Sequence, residues 1–327
     1  MSMTSNRVIS PGVNRSYQRS EIPAIRYNNL IKPMGYHFIT PSGAKVPPGW
    51  SNVWIASDSK SPLQATGRDS KGRRVYLYSA EHMGAAAAAK FSRLKAFGRA
   101  YLSLMNKIRR DMNYSEDALV LYLIAKTGFR IGGNSETLAA VKAFGASTLQ
   151  CSHVRAEGDI LSFDFIGKKG VRVRKLLKDK YLAQVITGRC GGNFDPKIFR
   201  TTDRSIRTYL NSISDGSGFT VKDFRTYLAT LTAFRKIKKM PVPGSEQEFK
   251  RYRKEVGQTV AGELGNSTAV ALNSYIAPEV FCPWKSGPNS IAVQSNKKRT
   301  YLTADFLECI HYAQKVKKHE NNDSSQA

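Results

Sequence analysis

The side chains able to do chemistry in this chain are overwhelmingly cationic: 51 Lys and Arg stand against 25 Asp and Glu, a formal charge of +26 over 327 residues. The charge is spread along the chain, and two local arrangements within it stand out by their spacing. Lys168 and Lys169 lie between Gly167 and Gly170, which places a lysine on or beside a tight loop. Lys222 and Arg225 are three residues apart and so share one face of a helix. The patterns of metal or nucleotide chemistry are missing. There is no GxxxxGK[ST] phosphate loop, no HExxH and no DxD-type carboxylate cluster, and His37, His82, His153, His311 and His319 are scattered. A phosphoryl-transfer enzyme built without metal must neutralise its transition state with Arg and Lys and supply its own nucleophile.

An excess of positive charge this large is penalised by self-repulsion, so a polyanionic partner is expected to offset it. Nucleic acid fits best, because phosphate neutralisation and counterion release reward charge spread along a whole chain. A membrane surface would favour one basic amphipathic helix or a lipid anchor instead. With 41% hydrophobic and 10% aromatic residues the chain folds rather than remaining disordered. No window of about 18 apolar residues occurs, and Met1 to Ser20 is polar with arginines, so a soluble, intracellular protein is expected. Cys151, Cys190, Cys282 and Cys309 are far apart and form no CxxC pair. That spacing suggests neither a disulfide scaffold nor a zinc site, and it fits a reducing compartment.

The elements that must position these residues follow from periodicity. Between Tyr36 and Tyr78 short strands and turns are expected, with Val53-Trp54-Ile55 a strand core, a break at Pro47-Pro48, and Arg73 to Tyr78 alternating. From Ala85 apolar residues recur every three or four positions through Phe91, Leu94, Phe97, Tyr101, Met105 and Ile108, which marks a helix and sets a domain boundary near residue 80. A second helix begins after the N-cap Ser115 and stops at Gly128; being apolar nearly all round, it should be buried. Ile160 to Val173 reads as a hairpin turning at Gly167 to Gly170. Thr220 and Asp223 have capping-box spacing ahead of a helix that ends by Pro241. Ser245 and Glu248 cap the next, which ends at Gly265, and Asn266 or Ser267 caps a short helix carrying Tyr275 and limited by Pro278. Residues 1–20 and the tail from about Lys315 read as mobile ends.

Over roughly residues 35–280 the chain resembles the type IB DNA topoisomerases of the compact poxvirus and bacterial sort. Leu63 to Asp69 and Asp69-Ser70-Lys71-Gly72-Arg73-Arg74, followed by Tyr76 and Tyr78, look like that family's DNA-clamping sheet. Gly128-Phe129-Arg130-Ile131-Gly132, Phe165-Ile166-Gly167-Lys168, Lys222-Asp223-Phe224-Arg225-Thr226-Tyr227 and Leu264-Gly265-Asn266-Ser267 with Tyr275 match its catalytic motifs in order.

The resemblance implies an α+β protein that clamps duplex DNA, with a β-rich N-terminal domain over 1–80. The mostly helical catalytic domain over 81–327 would carry a small sheet and a flexible tail. It implies that Tyr275 attacks the scissile phosphate to leave a 3′-phosphotyrosyl bond, so that supercoils relax without ATP, metal or other cofactor. Arg130 and Arg225 would grip the non-bridging oxygens, Lys168 would protonate the departing 5′-oxygen, and Lys222 would assist that proton. Lys71, Arg73, Arg74, Tyr76 and Tyr78 would touch DNA. A monomer is expected, in a bacterial cytoplasm or encoded by a virus and packaged in its virion. Two positions depart from the poxvirus pattern. Asn266 stands in place of a histidine donor, as in the bacterial enzymes, and can still donate one hydrogen bond to a phosphate oxygen. Val75 stands in place of an amide that reads bases. Two other readings use the same residues: a tyrosine recombinase, with a similar Arg, Lys, Arg and Tyr set, and a non-catalytic architectural DNA binder, supported by charge alone.

Overall fold

The computed structural model describes residues 24–27, 38–133, 142–191 and 196–285. The expectations for residues 1–20, Tyr36 and the tail from Lys315 lie outside these residues. The chain is α+β and divides into two compact units, one ending at Phe91 and the other beginning at Ser92.

In the first unit, strands β1 (Ala24–Tyr27), β2 (Ser51–Ala56), β3 (Leu63–Arg68) and β4 (Arg74–Tyr78) form one antiparallel sheet in chain order. Its core follows from alternation: Val53, Ile55 and Ala65 point inward with Phe38 and Val46, and Trp50 and Leu77 pack against them. Because Leu77 faces this core, Tyr76 and Tyr78 lie on the opposite face of β4. There they are half-buried, with ring centroids 6.4 Å apart, and the Tyr78 ring stacks on His82 at 5.1 Å. The turn from β3 to β4 is organised by Asp69, whose Oδ1 accepts the backbone N–H groups of Lys71 and Arg73, each at 3.0 Å.

Helix α1 (Ala80–Asp111) starts earlier than the alanine run at Ala85, since Ser79 Oγ accepts the His82 N–H at 3.1 Å and so caps the first turn. Helix α2 (Glu116–Thr127) has its N-cap at Ser115 and its C-cap at Gly128, and it is buried from Ala118 through Ala125, as its all-round apolar pattern requires. The hairpin β6 (Ile160–Ile166) and β7 (Arg172–Lys178) is longer than the alternation to Val173 indicates. It is joined by a strand the sequence did not reveal, β5 (Val154–Glu157), whose four residues are mostly exposed and carry no apolar alternation.

Helices α3 (Lys180–Cys190), α4 (Asp203–Ile213), α5 (Val221–Ile237), α6 (Glu246–Leu264), α7 (Thr268–Ser274) and α8 (Cys282–Lys285) complete the described residues of the second unit. Helix α6 packs against both α5 and α7. Phe97 of α1 meets Phe219, Phe224 and Tyr227 edge-on, with centroids 5.3, 4.9 and 5.8 Å away. Such pairs add about 0.5–1.5 kcal/mol each beyond the area they bury. This aromatic cluster fixes α5 against α1.

One expectation is corrected. Cys151 and Cys190 are joined by a disulfide, with Cα atoms 5.4 Å apart. Their separation of 39 positions in sequence hid the pair, because the β5–β6–β7 sheet and α3 fold back to bring the two ends together.

Candidate active site

The site is built around Tyr275, which terminates the short helix α7 and is only 8% exposed. The N-cap of α7 is Ser267, whose Oγ accepts the Val270 N–H at 3.4 Å, so Asn266 is left free of capping duty. The backbone at Tyr275 is clamped from α5. Thr230 Oγ1 donates to the Tyr275 carbonyl at 3.3 Å and accepts the Ala277 N–H at 3.2 Å. Thr230 is a positioning contact that the sequence pattern did not signal; it lies within the apolar stripe of α5 as a 1% exposed threonine.

Arg225 comes from the same helix and is 3% exposed. The alternative role for a buried arginine is a salt bridge, but its guanidinium meets two main-chain carbonyls instead. Nη1 donates to Gly128 O and Nη2 to Leu264 O, the latter at 3.2 Å. These carbonyls belong to the C-terminal ends of α2 and α6, where the helix dipole is negative and carbonyls lack intrahelical donors. Two helix ends therefore hold one cation. The junction requires glycine at 128: φ is +69°, and a Cβ there would lie 2.8 Å from side-chain carbons of both Leu228 and Leu264. Burial pulls the Arg225 pKa down to about 10, which leaves it charged at neutral pH.

Arg130 follows Gly128 by two residues, and its backbone is fixed from the other side. Its carbonyl accepts the Ala146 N–H, and that of Ile131 accepts the Ser147 N–H, both at 2.8 Å. Gly145 permits this approach, since a Cβ there would sit 2.6 Å from the Arg130 oxygen. The Arg130 Nη2 donates to Asn266 Oδ1. Arginine can only donate, so this bond decides which way the Asn266 amide points and turns Nδ2 the other way. Nδ2 is buried and finds no acceptor among the described residues, and the same is true of Arg225 Nε. Buried donors of this kind normally have a partner, and an anionic oxygen would satisfy both.

The cations converge on the phenol. Arg225 Cζ is 5.1 Å from the centroid of the Tyr275 ring and Lys222 Nζ is 5.6 Å from it. Burial pushes the Tyr275 phenol up, yet Arg225 beside it, with Arg130 and Lys222 further off, holds its pKa below the ordinary 10.0. A lowered pKa is what an activated oxygen nucleophile needs.

Lys168 stands apart. It is exposed on the β6–β7 turn, and none of the contacts found among the described residues joins it to Tyr275, Arg130 or Arg225. Its hairpin is nevertheless fastened beside the site: Lys175 of β7 pairs with the Glu263 carboxylate, and its Nζ also reaches the Glu263 carbonyl at 3.4 Å, in the last turn of α6 just before Asn266. In the first unit, Arg73 is exposed and forms a two-pronged pair with Asp69, at 2.8 and 2.5 Å. Lys71 and Arg74 are also exposed, on either side of it. Among the described residues no cluster of three His, Cys, Asp or Glu is arranged to hold a metal ion, and no helix is long and apolar enough to cross a membrane.

Residues 80–279 match the family model described as the eukaryotic DNA topoisomerase I catalytic core, and residues 42–69 match the N-terminal domain of bacterial DNA topoisomerase IB. The chain is 31% identical to the DNA topoisomerase 1B of Acanthamoeba polyphaga mimivirus over 277 residues, which is 77% of this chain and 81% of that one. Against the DNA topoisomerase 1B of Vaccinia virus (strain Copenhagen) the identity is 24% over 251 residues, covering 71% and 75%. A shorter stretch of 132 residues, 38% of this chain and 22% of the other, is 31% identical to the human mitochondrial DNA topoisomerase I. The chain belongs to the type IB DNA topoisomerases, and it is an isomerase of that family.

Proposed function

We propose that this enzyme relaxes supercoiled duplex DNA by transient single-strand cleavage and religation, without ATP or metal, acting as a monomer. The observation that carries the reading is the convergence of Arg225 and Lys222 on the buried Tyr275 ring, at 5.1 and 5.6 Å, beside the Arg130–Asn266 pair. The Tyr275 oxygen attacks phosphorus and displaces the 5′-oxygen, leaving a 3′-phosphotyrosyl bond. Arg130, Arg225 and the Asn266 amide hold the non-bridging oxygens, where charge gathers in the transition state. The leaving oxygen takes its proton from Lys168, with Lys222 assisting. The bond to tyrosine conserves the phosphodiester's energy, so the reverse attack by the 5′-hydroxyl reseals the strand once it has rotated. Residues 81–327 carry this chemistry, and residues 1–80 grip the duplex through Lys71, Arg73, Arg74, Tyr76 and Tyr78.

The test is relaxation of supercoiled plasmid in EDTA without ATP, comparing wild type with Tyr275→Phe and trapping protein-linked DNA with detergent. Relaxation and an adduct that both vanish in the variant are expected. Equal activity in the two proteins would overturn the assignment of Tyr275. Binding without an adduct in either would favour an architectural DNA binder, and strand exchange between paired sites would favour a recombinase.

A further inference from the structure

Lys222 and Arg225 lie on either side of a residue that the proposed chemistry does not use. Asp223 is 1% exposed, yet it is a carboxylate, and a buried charge persists only where it is paired and hydrogen-bonded. Four donors meet it. The Thr220 N–H and hydroxyl donate to Oδ2 at 2.7 and 2.9 Å, which closes the capping box of α5. Arg93 of α1 supplies the other two, Nε to Oδ2 at 3.0 Å and Nη2 to Oδ1 at 3.1 Å, from 130 residues away in sequence. The capping contacts are local and would form in any helix that begins this way. The Arg93 contacts are tertiary and do something the cap cannot: they fix the position and rotation of the first turn of α5 relative to α1. That turn carries Lys222, and the next carries Arg225. A planar guanidinium bound through two nitrogens defines an orientation, where a lysine would supply only charge.

We propose that the Arg93–Asp223 pair is the positioning device that holds Lys222 and Arg225 over Tyr275, so that Arg93 sets the rate of strand cleavage without touching DNA or the nucleophile. The inference rests on the reading above, in which those two cations act on Tyr275. Small displacements matter at such a site, because a misplacement of about 1 Å can cost on the order of 10²-fold in rate.

The experiment measures single-turnover formation of the covalent adduct on a duplex at saturating protein, alongside the Kd for the same duplex, for wild type, Arg93→Ala, Arg93→Lys and Asp223→Asn. Arg93→Ala should cut the cleavage rate by about 10- to 100-fold while Kd changes less than about threefold, and Arg93→Lys should recover part of the loss. In an Arg225→Ala background the Arg93→Ala penalty should shrink to about twofold, since residues acting through one another are not additive. A cleavage rate at the wild-type level in Arg93→Ala, a loss confined to Kd, or a penalty undiminished in the Arg225→Ala background would each overturn the proposal. If Arg93→Ala fails to fold, Asp223→Asn, which keeps shape and acceptor but removes the charge, must show the same split between rate and affinity. Tyr275→Phe run in parallel separates the two ideas: an adduct that survives in that variant defeats the reading of the site itself, whereas an adduct lost there but unaffected by Arg93→Ala defeats only the positioning role.

Discussion

Arg225 and Arg73 are both proposed to face phosphate, and the protein holds them in opposite ways. Arg225 is buried, with two of its nitrogens on main-chain carbonyls at the ends of two helices. Arg73 lies on an exposed turn, paired with an aspartate four residues before it. The first arrangement leaves the guanidinium few places to go, and its Nε, without an acceptor among the described residues, is a preorganised donor. The second leaves a solvated cation whose existing pair is screened by water and salt and contributes little to stability. A rigid donor lowers a barrier, whereas a mobile surface cation adds affinity. The second unit should therefore govern rate and the turn of the first unit should govern binding.

The hardest blow to that contrast comes from Arg225→Ala, which should reduce single-turnover cleavage by about 10²–10³-fold with a much smaller change in Kd. A loss carried mainly by Kd would erase the distinction between the two regions. Asn266→Ala removes both the acceptor that orients Arg130 and the buried Nδ2 donor, and should cost about 10- to 100-fold in the same assay. Asn266→Asp should be at least as damaging, because it replaces a donor by a negative charge facing phosphate.

The pH dependence sharpens the comparison within the second unit. Tyr275 is held below its ordinary value by Arg225, Arg130 and Lys222, so the phenolate fraction, and with it the cleavage rate, should rise with pH, with the midpoint of the rise below pH 10.0. Removing one of those cations leaves burial less opposed and raises the phenol's pKa. In Lys222→Ala the rising limb should therefore move to higher pH, while in Arg73→Ala it should stay where it is. Identical limbs in all three proteins would mean that Lys222 exerts no field on the nucleophile.

Smaller effects are expected from the exposed turn and from the backbone clamp. Replacing Lys71, Arg73 and Arg74 together by Ala should weaken DNA binding, lowering the salt slope of log K by about 0.9 for each phosphate no longer neutralised, with cleavage at saturating protein unchanged. Thr230→Val keeps the volume but removes the bonds to Tyr275 and Ala277. It should lower stability by about 1 kcal/mol and slow cleavage by a few-fold at most. Denaturant melts beside the cleavage assay would check both halves.

Much of this was legible before any fold was known, and the legible parts share a cause. Net charge is a sum over the sequence and needs no fold, and the caps at Ser115, Thr220 and Ser245, the stops at Gly128 and Gly265, and the alternation in β6 are all settled by residues within one turn or one strand of each other. Local rules reach that far. The candidate residues Arg130, Arg225, Asn266 and Tyr275 were likewise readable as motifs in order, though not their contacts. Tertiary structure alone decided that Arg225 meets carbonyls 97 and 39 residues away, that Arg93 spans 130 residues to reach Asp223, that Thr230 holds the backbone at Tyr275, and that Cys151 and Cys190 pair. Each of these depends on how helices pack across the core. Packing is set by the shapes of many apolar side chains together, and no single spacing along the chain records it.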